Sequence, residues 1–390
     1  MKFVTAVWKM KVAILVLILA VSAHARPLLA PLYQGRDSSR IPGRYIVTFK
    51  DSLSREDKVI AIDRVKQLGK VKGLDVRFQK QYQTYPGFVV EMNAAALKAM
   101  RQFNEIAYVE EDSFYSISVV TSWGLDRVDQ RDLPLDDSFT PRDDGTGVNV
   151  YIIDTGIRIT HIDFDGRAEF FYDALRGNGN DCNGHGTHCA GTAAGSSYGV
   201  AKSASLWAVR VLSCIGFGSN SEVIDGMDQV ASFGITPGVA SMSLGGSISI
   251  SLDNTVNILK NAGFTVVVAA GNSNDDACNY SPSRSASAIT VGATTTRDSR
   301  ATYSNYGQCV DIFAPGSDIT SAWHTADDAT NTISGTSMAC PHVAGAAAVL
   351  LGMDPSMSHE AVKAQLLQES SIDKVTLPGS NSPNTLLFIG

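Results

Sequence analysis

Residues 148–156, VNVYIIDTG, determine how the larger part of this 390-residue chain is expected to fold. A nearly unbroken apolar run that ends in Asp154 and a Thr-Gly turn is typical of a strand buried on both faces of a parallel sheet. Similar runs alternate with helical stretches further along, which predicts an α/β unit with helices on both faces of the sheet. The other predicted strands are 205–211, 239–244, 265–270 and 288–293, and the predicted helices are 220–233, 252–262, 336–351 and 358–368.

Three side chains fall near the carboxyl ends of these strands, where active sites of such sheets lie. Asp154 ends its strand, His185 lies where the glycine-rich DCNGHGTHCAG turns into a helix, and Ser337 begins the helix of SGTSMACPHVAG. Each has a structural explanation as a turn, cap or packing residue. A serine nucleophile, however, needs a base to take its proton and a carboxylate to orient that base. Together, the three residues therefore predict nucleophilic serine catalysis.

His185 and His188 also raise the question of zinc, because residues three apart share a helix face. The zinc-protease pattern H-E-x-x-H has a glutamate that this stretch lacks. We therefore expect no zinc here and a structural role for His188.

A smaller α+β unit precedes the parallel sheet. Strands are predicted at 44–49, 87–92 and 106–111, with a helix over 54–68 capped by Ser54 and a second helix capped by Asn93. This order is typical of a split βαβ, ferredoxin-like sandwich.

The two parts differ in charge. Residues 26–118 contain 15 Lys and Arg against 11 Asp and Glu, a net charge of +4, whereas residues 119–390 contain 14 against 28, a net charge of −14. Opposite charges predict that the two parts attract each other. The acidic part is not expected to bind nucleic acid, because it would repel phosphates.

The first 25 residues are predicted to be a secretory signal. Lysines precede the apolar run VAILVLILAVSA, and the small residues of AHA predict cleavage after Ala25. Translation can begin at Met1 or at Met10, since the segment from Met10 is already a complete signal. A membrane anchor is the competing interpretation, but the run is short for a span, and no later segment is expected to cross a bilayer. Secretion permits disulfides, and six cysteines allow 15 full pairings that the residues alone do not distinguish.

The segments IIDTGI, NGHGTHCAG and SGTSMACPHVAG resemble the three catalytic motifs of the subtilisin-like serine proteases, peptidase family S8. WGLDRVDQRDLPL, VVAAGN and SNYGQCVDIFAPG are similar to the proteinase K and aqualysin branch, and the first unit resembles the family's inhibitor-type, I9-like propeptide. The resemblance implies Ser337 as nucleophile, His185 as general base and acid, and Asp154 as the orienting carboxylate. Asn272 would donate its amide to the oxyanion, beside the Ser337 N–H.

The same resemblance implies a secreted serine endopeptidase made as a self-processing zymogen. It implies a signal at 1–25, a propeptide at 26–118 (folded over about 41–115) and a peptidase domain at 119–390, with the cut at Ser118–Val119. The propeptide would act as chaperone and inhibitor, and we expect a monomer with no membrane or nucleic-acid partner. The residues implied in substrate binding include no charged side chain, which predicts a broad preference for apolar and aromatic P1 residues; 216–218 would also offer an edge strand. They are Gly216, Phe217, Gly218, Ser243, Leu244, Gly245, Gly246, Ala269, Ala270 and Gly271.

The resemblance also implies the disulfides Cys182–Cys214 and Cys278–Cys309, and structural calcium at two places, with no organic cofactor. The first calcium site would use Asp311 with the carbonyls of Ala286 and Ala288, and the second Asp126, Asp129 and Gln130 with Asp136 and Ser138 nearby. A solvated acidic surface is the alternative for the second site.

Cys189 and Cys340 remain outside these pairs. Each lies about one helical turn beyond a catalytic candidate, which predicts that both lie beneath the catalytic group. Two buried thiols are favoured over a third disulfide, because helix packing distances leave few facing positions close enough to bridge.

The alternative function is a self-cleaved but otherwise inactive binding protein on a protease fold. The asparagine at the oxyanion position and the absence of a long segment after the last helix favour an active protease.

Overall fold

The computed structural model describes residues 29–33, 40–82, 85–113 and 122–390. The chain divides into two compact units, residues 1–117 and 118–390. The signal segment 1–25 and the bond Ser118–Val119 lie outside the described residues, so both stay predictions.

Within its described residues, the first unit has a five-stranded sheet in the strand order β1-β5-β2-β4-β3 and two helices. The predicted caps form: Ser54 accepts from the backbone of Asp57 in a capping box, and Asn93 accepts from Ala96. The sheet packs against the buried face of the first helix around a core that includes Phe49 and Phe88. Its elements are β1 (Leu32–Tyr33), β2 (Arg40–Phe49), α1 (Arg55–Leu68), β3 (Val76–Gln81), β4 (Gly87–Met92), α2 (Ala94–Met100) and β5 (Ile106–Ser113).

The second unit is built on a nine-stranded sheet in the order β17-β18-β14-β13-β11-β9-β6-β8-β7. Neighbouring strands pair in parallel except β17 with β18, which are antiparallel. The elements are α3 (Trp123–Val128), β6 (Asn149–Asp154), β7 (Ala168–Asp173), α4 (His185–Ala194), β8 (Ser205–Arg210), α5 (Asn220–Phe233), β9 (Gly238–Met242), β10 (Gly246–Ser247), α6 (Ile250–Asn261), β11 (Phe264–Ala269), β12 (Tyr280–Ser281), β13 (Ile289–Thr294), β14 (Ile312–Pro315), β15 (Ile319–Ala322), β16 (Thr330–Ile333), α7 (Thr336–Met353), α8 (His359–Glu369), β17 (Ser371–Ile372) and β18 (Thr385–Leu386), with 3₁₀ turns at Ile162–Phe164 and Ala277–Asn279.

Strand β6 is buried on both faces, as its apolar run predicted. Val150 and Ile152 point into the core shared with α4 and α7, while Tyr151 and Ile153 point into the core shared with α5 and α6. Because side chains alternate between the faces of a strand, only an uninterrupted apolar run can fill both cores. The predicted fold class is confirmed.

Four strands of this sheet were not predicted: β7, β14, and the two-residue strands β17 and β18. β7 is an edge strand whose burial is mixed, and β14 has only four residues, so neither carries the long apolar run that marks the central strands.

Helix α7 is long and apolar enough, by length and composition, to cross a membrane, so the expectation that no later segment meets that test was wrong. However, 83% of its 18-residue window is buried inside the protein, where the helix packs against α4 and the sheet.

Candidate active site

Asp154 and His185 form a direct contact at the carboxyl end of β6. The Nδ1 atom of His185 lies 2.8 Å from Oδ1 and 3.0 Å from Oδ2 of the Asp154 carboxylate. Asp154 is fully buried, and its Oδ1 also accepts from the backbone N–H of Thr155 at 2.7 Å. The carboxylate therefore orients the imidazole through Nδ1 and leaves Nε2 free to accept or donate a proton.

Burial opposes the charged form of His185, but the Asp154 carboxylate and, after it, the neighbouring Cys189 together outweigh burial and raise the pKa of His185 well above 6.5. The histidine is therefore a stronger base than a free imidazole.

A buried aspartate, Asp181, holds the start of α4 in place. It accepts from the backbone N–H groups of Gly184 and Thr187, both at 2.9 Å, and from the hydroxyl groups of Thr155 (2.9 Å) and Thr187 (2.6 Å). Sequence reasoning missed this residue, although an aspartate just before a glycine-rich helix start is a recognisable Asx-turn signal.

Glycine is required at the cap of α4. Gly184 has φ of 109°, and a Cβ there would lie 2.4 Å from the Trp323 ring. A side chain would both strain the backbone and displace the turn that precedes His185.

The backbone of Ser337 explains the proline in α7. Pro341 has no N–H to donate to the Ser337 carbonyl one turn earlier. That carbonyl instead accepts from the Ser243 hydroxyl at 2.8 Å and the Cys189 thiol at 3.4 Å. Because the proline leaves this carbonyl free, Ser243 and Cys189 can both bind the first turn of α7.

The Ser337 hydroxyl donates to the backbone carbonyl of Ser243 at 3.1 Å. Within the described residues it makes no hydrogen bond to His185. A longer separation is common in free enzymes, where the catalytic hydrogen bond tightens when substrate binds.

Asn272 is oriented by the first residue of α7. Its Oδ1 accepts from the backbone N–H (2.8 Å) and the hydroxyl (2.9 Å) of Thr336. A Cβ built on Gly335 would lie 3.5 Å from Asn272 Nδ2 and 3.6 Å from Ser337 N, so both donors border one small space. The helix itself offers no acceptor for the Ser337 N–H, which lies in its first turn.

Two cavities meet beside His185 and Ser337, and every residue implied in substrate binding lines at least one of the two cavities. The first, of about 270 Å³, is lined by residues that include His185 and 216–218. The second, of about 280 Å³, is lined by 243–247, 269–273, Tyr280, Ser283, Thr336 and Ser337, none of them charged. Gly216 lies in a bend, residues 217 and 218 have no regular secondary structure, and the Phe217 carbonyl accepts from the N–H of Ser213 at 2.9 Å. The pairing of this segment with a peptide substrate stays a prediction.

The cysteines occupy the expected states. The structure contains the disulfides Cys182–Cys214 and Cys278–Cys309. Cys189 and Cys340 are free and buried. Burial raises the pKa of both thiols, that of Cys340 to about 12. Two buried thiols were the favoured interpretation.

Asp154, His185 and Cys189 offer ligand atoms within 4.8 Å of one another, the spacing of a metal site. The carboxylate and Nδ1, however, already bond directly to each other. His188 is not among these three residues. Its Nε2 lies 3.0 Å from the carbonyl of Ile319, and burial lowers its pKa to about 4.

The second place predicted for calcium has a donor set that fits a hard cation. Asp126 Oδ1 and Gln130 Oε1 both lie within 3.3 Å of the same N–H, that of Asp136. Asp129 has one buried carboxylate oxygen without a hydrogen-bond partner. Burial, with the neighbouring Asp136 and Asp126, raises the pKa of Asp129 to about 6. Calcium binds clustered oxygen ligands, and its positive charge would neutralise a buried carboxylate such as that of Asp129.

The first place predicted for calcium does not fit a metal. The Lys363 ammonium donates to the Asp311 carboxylate at 2.8 Å and to the Ala288 carbonyl at 2.9 Å. A positive charge already occupies the position between two of the three expected ligands.

Comparison with known proteins agrees with these features. Residues 145–386 match the subtilase family, Peptidase S8, and residues 44–118 match peptidase inhibitor I9. The chain is 47% identical to an extracellular serine proteinase of Thermus sp. (strain Rt41A), over 92% of each chain. It is 41% identical to a cuticle-degrading protease of Metarhizium anisopliae, over 93% of each. A crystal structure of a cold-adapted subtilisin-like serine proteinase superposes with a TM-score of 0.67 at 50% identity, covering 69% of this chain and 98% of that one.

The family match covers more than half of the chain, and the fold agrees with it. The chain therefore belongs to the subtilase family, and it is a serine endopeptidase whose peptidase domain follows an I9 inhibitor-type propeptide.

Proposed function

We propose that the protein is a secreted, self-processing endopeptidase in which Ser337, His185 and Asp154 act as the catalytic triad. The observation that carries the proposal is the buried Asp154–His185 contact at 2.8 Å, beside the two cavities that meet at Ser337.

In this proposal Ser337 Oγ attacks the scissile carbonyl carbon while its proton moves to His185 Nε2. Asp154 stabilises the imidazolium that forms, and His185 then donates this proton to the leaving amine as the scissile C–N bond breaks. Water then attacks the acyl carbon while His185 takes a proton from it, and His185 gives this proton to Ser337 Oγ as the bond between the acyl carbon and Oγ breaks.

Negative charge develops on the substrate oxygen when the serine attacks. Asn272 Nδ2 and the Ser337 N–H would stabilise it, since both border the space beside Gly335. The hydrogen bonds from Thr336 to Asn272 Oδ1 favour this orientation, because they leave the amide nitrogen for the oxyanion.

The 280 Å³ cavity is proposed to accept the P1 side chain. Leu244, Ala269 and Ala270 give it apolar walls, and it has no charged residue to pair with Lys, Arg, Asp or Glu. Broad cleavage after apolar and aromatic residues follows.

The propeptide is proposed to be cut from residues 119–390 at Ser118–Val119 by the enzyme itself, and then to inhibit it. The I9 match ends at residue 118, and one relative is named an extracellular serine proteinase, which together support a secreted zymogen.

The loop of Asp126, Asp129 and Gln130 is proposed to hold one structural calcium ion. The ion would neutralise carboxylates that burial otherwise destabilises.

The test is expression of the full chain and of its Ser337→Ala variant, followed by intact mass and a casein assay. The parent should lose residues up to about 118 and digest casein, whereas the variant should remain uncut and inactive. A parent that is cut once but leaves casein intact would instead support the binding-protein alternative, and an active Ser337→Ala variant would exclude the proposed nucleophile.

A further inference from the structure

The side chain of Lys363 links three segments that are far apart in sequence. It extends from α8, and its ammonium donates to the Ala288 carbonyl, just before β13, and to the Asp311 carboxylate, just before β14. The same Asp311 oxygen accepts from the backbone N–H of Thr290 at 2.9 Å. One cation thus holds the helix to the starts of two adjacent parallel strands.

These contacts match what a bound metal ion would do at this position. A cation between a carboxylate and a backbone carbonyl neutralises the first and satisfies the second. The Lys363 and Asp311 side chains are each only 22% exposed, so the pair is largely shielded from water and from screening by salt.

Calcium and the ammonium cannot share the space. Calcium binds six to eight oxygens at about 2.3–2.6 Å, so it would need both atoms that Lys363 now contacts. Two positive charges on one carboxylate would also repel each other.

We propose that the Lys363 ammonium takes the place of calcium at this corner and excludes the metal from it. The cation of the three-segment link is then a side chain of the protein itself, so the link does not depend on calcium concentration and resists chelators.

The test uses the full chain with two background substitutions. Ser337→Ala prevents proteolysis during the measurement, and Asp129→Asn disables the other proposed calcium site. Calcium binding to the chelator-treated protein is measured by calorimetric titration, and Tm is measured with and without calcium. Three variants are made in this background: Lys363→Ala, Asp311→Asn, and the two substitutions together. Lys260→Ala is the matched control, because it removes another lysine that pairs with α8, through Glu360 at 2.9 Å, without freeing Asp311.

We expect the background protein to bind no calcium at Asp311 with a Kd below about 1 mM. Lys363→Ala should lower the Tm in calcium-free buffer, gain one calcium equivalent and recover Tm when calcium is added. Asp311→Asn should abolish that gain, and Lys260→Ala should not produce it. If Lys363→Ala does not fold, Lys363→Met, which keeps the apolar stem, is used for the Tm comparison.

Three results would overturn the proposal. A calcium equivalent in the background protein that Asp311→Asn removes would mean that the metal displaces the lysine. A Lys363→Ala protein that gains no calcium would mean that these oxygens do not form a calcium site. An unchanged Tm on loss of the ammonium would mean that it is not a structural link.

Discussion

The helices that carry the proposed catalytic residues begin differently from three helices elsewhere in the peptidase unit. α5, α6 and α8 each start after a serine, Ser219, Ser249 or Ser358, whose side chain accepts from the backbone three residues ahead. α4 and α7 start after Gly184 and Gly335, which have no side chain to do so.

The two glycine-started helices are capped by side chains that also belong to the catalytic site: Asp181, three residues before Gly184, which also binds the Thr155 hydroxyl, and Asn272. Asp181 accepts from the N–H groups at the start of α4, and Asn272, 64 residues away in sequence, accepts from the Thr336 N–H of α7. A serine cap needs only its own helix, whereas these caps need the folded site. Changes to Asp181 or Asn272 should therefore affect catalysis, whereas changes to the serine caps, which we call the local caps, should affect only stability.

The largest loss of activity is expected for Asp154→Asn, because Asp154 binds His185, the first residue of α4. Because the pKa of His185 is raised, kcat/KM should increase as the pH rises through that pKa and the imidazole becomes neutral. Asp154→Asn should lower kcat by about 10⁴-fold. It should also move the rising limb to lower pH, since burial alone lowers the pKa of His185. The measurement is kcat/KM for a chromogenic peptide from pH 5 to 10. A rising limb that stays in place in the variant would contradict the role of Asp154.

Asn272→Ala should lower kcat by about 10²–10³-fold with little change in KM. That range comes from the corresponding donor in subtilisin, a protein of the same family. The variant also removes the Thr336 acceptor, so its Tm is measured alongside. Asn272→Asp is the matched control, because it keeps the oxygen that caps α7 but loses the donor. If the Asp variant retained full kcat, Asn272 would act only as a cap.

Asp181→Asn should produce a smaller loss that combines activity and stability. The new amide places a donor where the acceptor for the N–H and hydroxyl of Thr187 stood, so the start of α4 should shift and carry His185 with it. We expect about a tenfold fall in kcat/KM and a lower Tm. A lower Tm with unchanged kcat/KM would place Asp181 with the local caps instead.

The smallest effect is expected for Ser358→Ala, which removes a local cap. The loss of one N-cap costs about 1 kcal/mol, or about 2–4 °C in Tm for a unit of this size, with kcat/KM unchanged. Thermal unfolding of the inhibited enzyme and peptide kinetics on the same preparation measure both quantities. A change in kcat/KM comparable to that of Asp181→Asn would remove the distinction between the two kinds of cap.

Local patterns in the sequence determined the central strands, several helix bounds and the caps at Ser54 and Asn93. These features depend on neighbours within a few residues, so side-chain alternation and capping chemistry specify them. The motif resemblance supplied the candidate residues Asp154, His185, Ser337 and Asn272 and the disulfide pairs. Edge strand β7 escaped prediction because its mixed burial leaves no apolar run.

Only the tertiary structure determined which distant groups meet. Lys363 contacts Ala288 and Asp311, 75 and 52 residues away, and nothing local in α8 marks this lysine as different from a solvated one. The same holds for the Ser243 hydroxyl, which binds the Ser337 carbonyl that Pro341 leaves without a helical donor. Such contacts depend on the order of strands in the sheet, which sets the neighbours of each strand end. A sequence that specifies each element therefore does not by itself show whether a cation site holds a metal or a lysine.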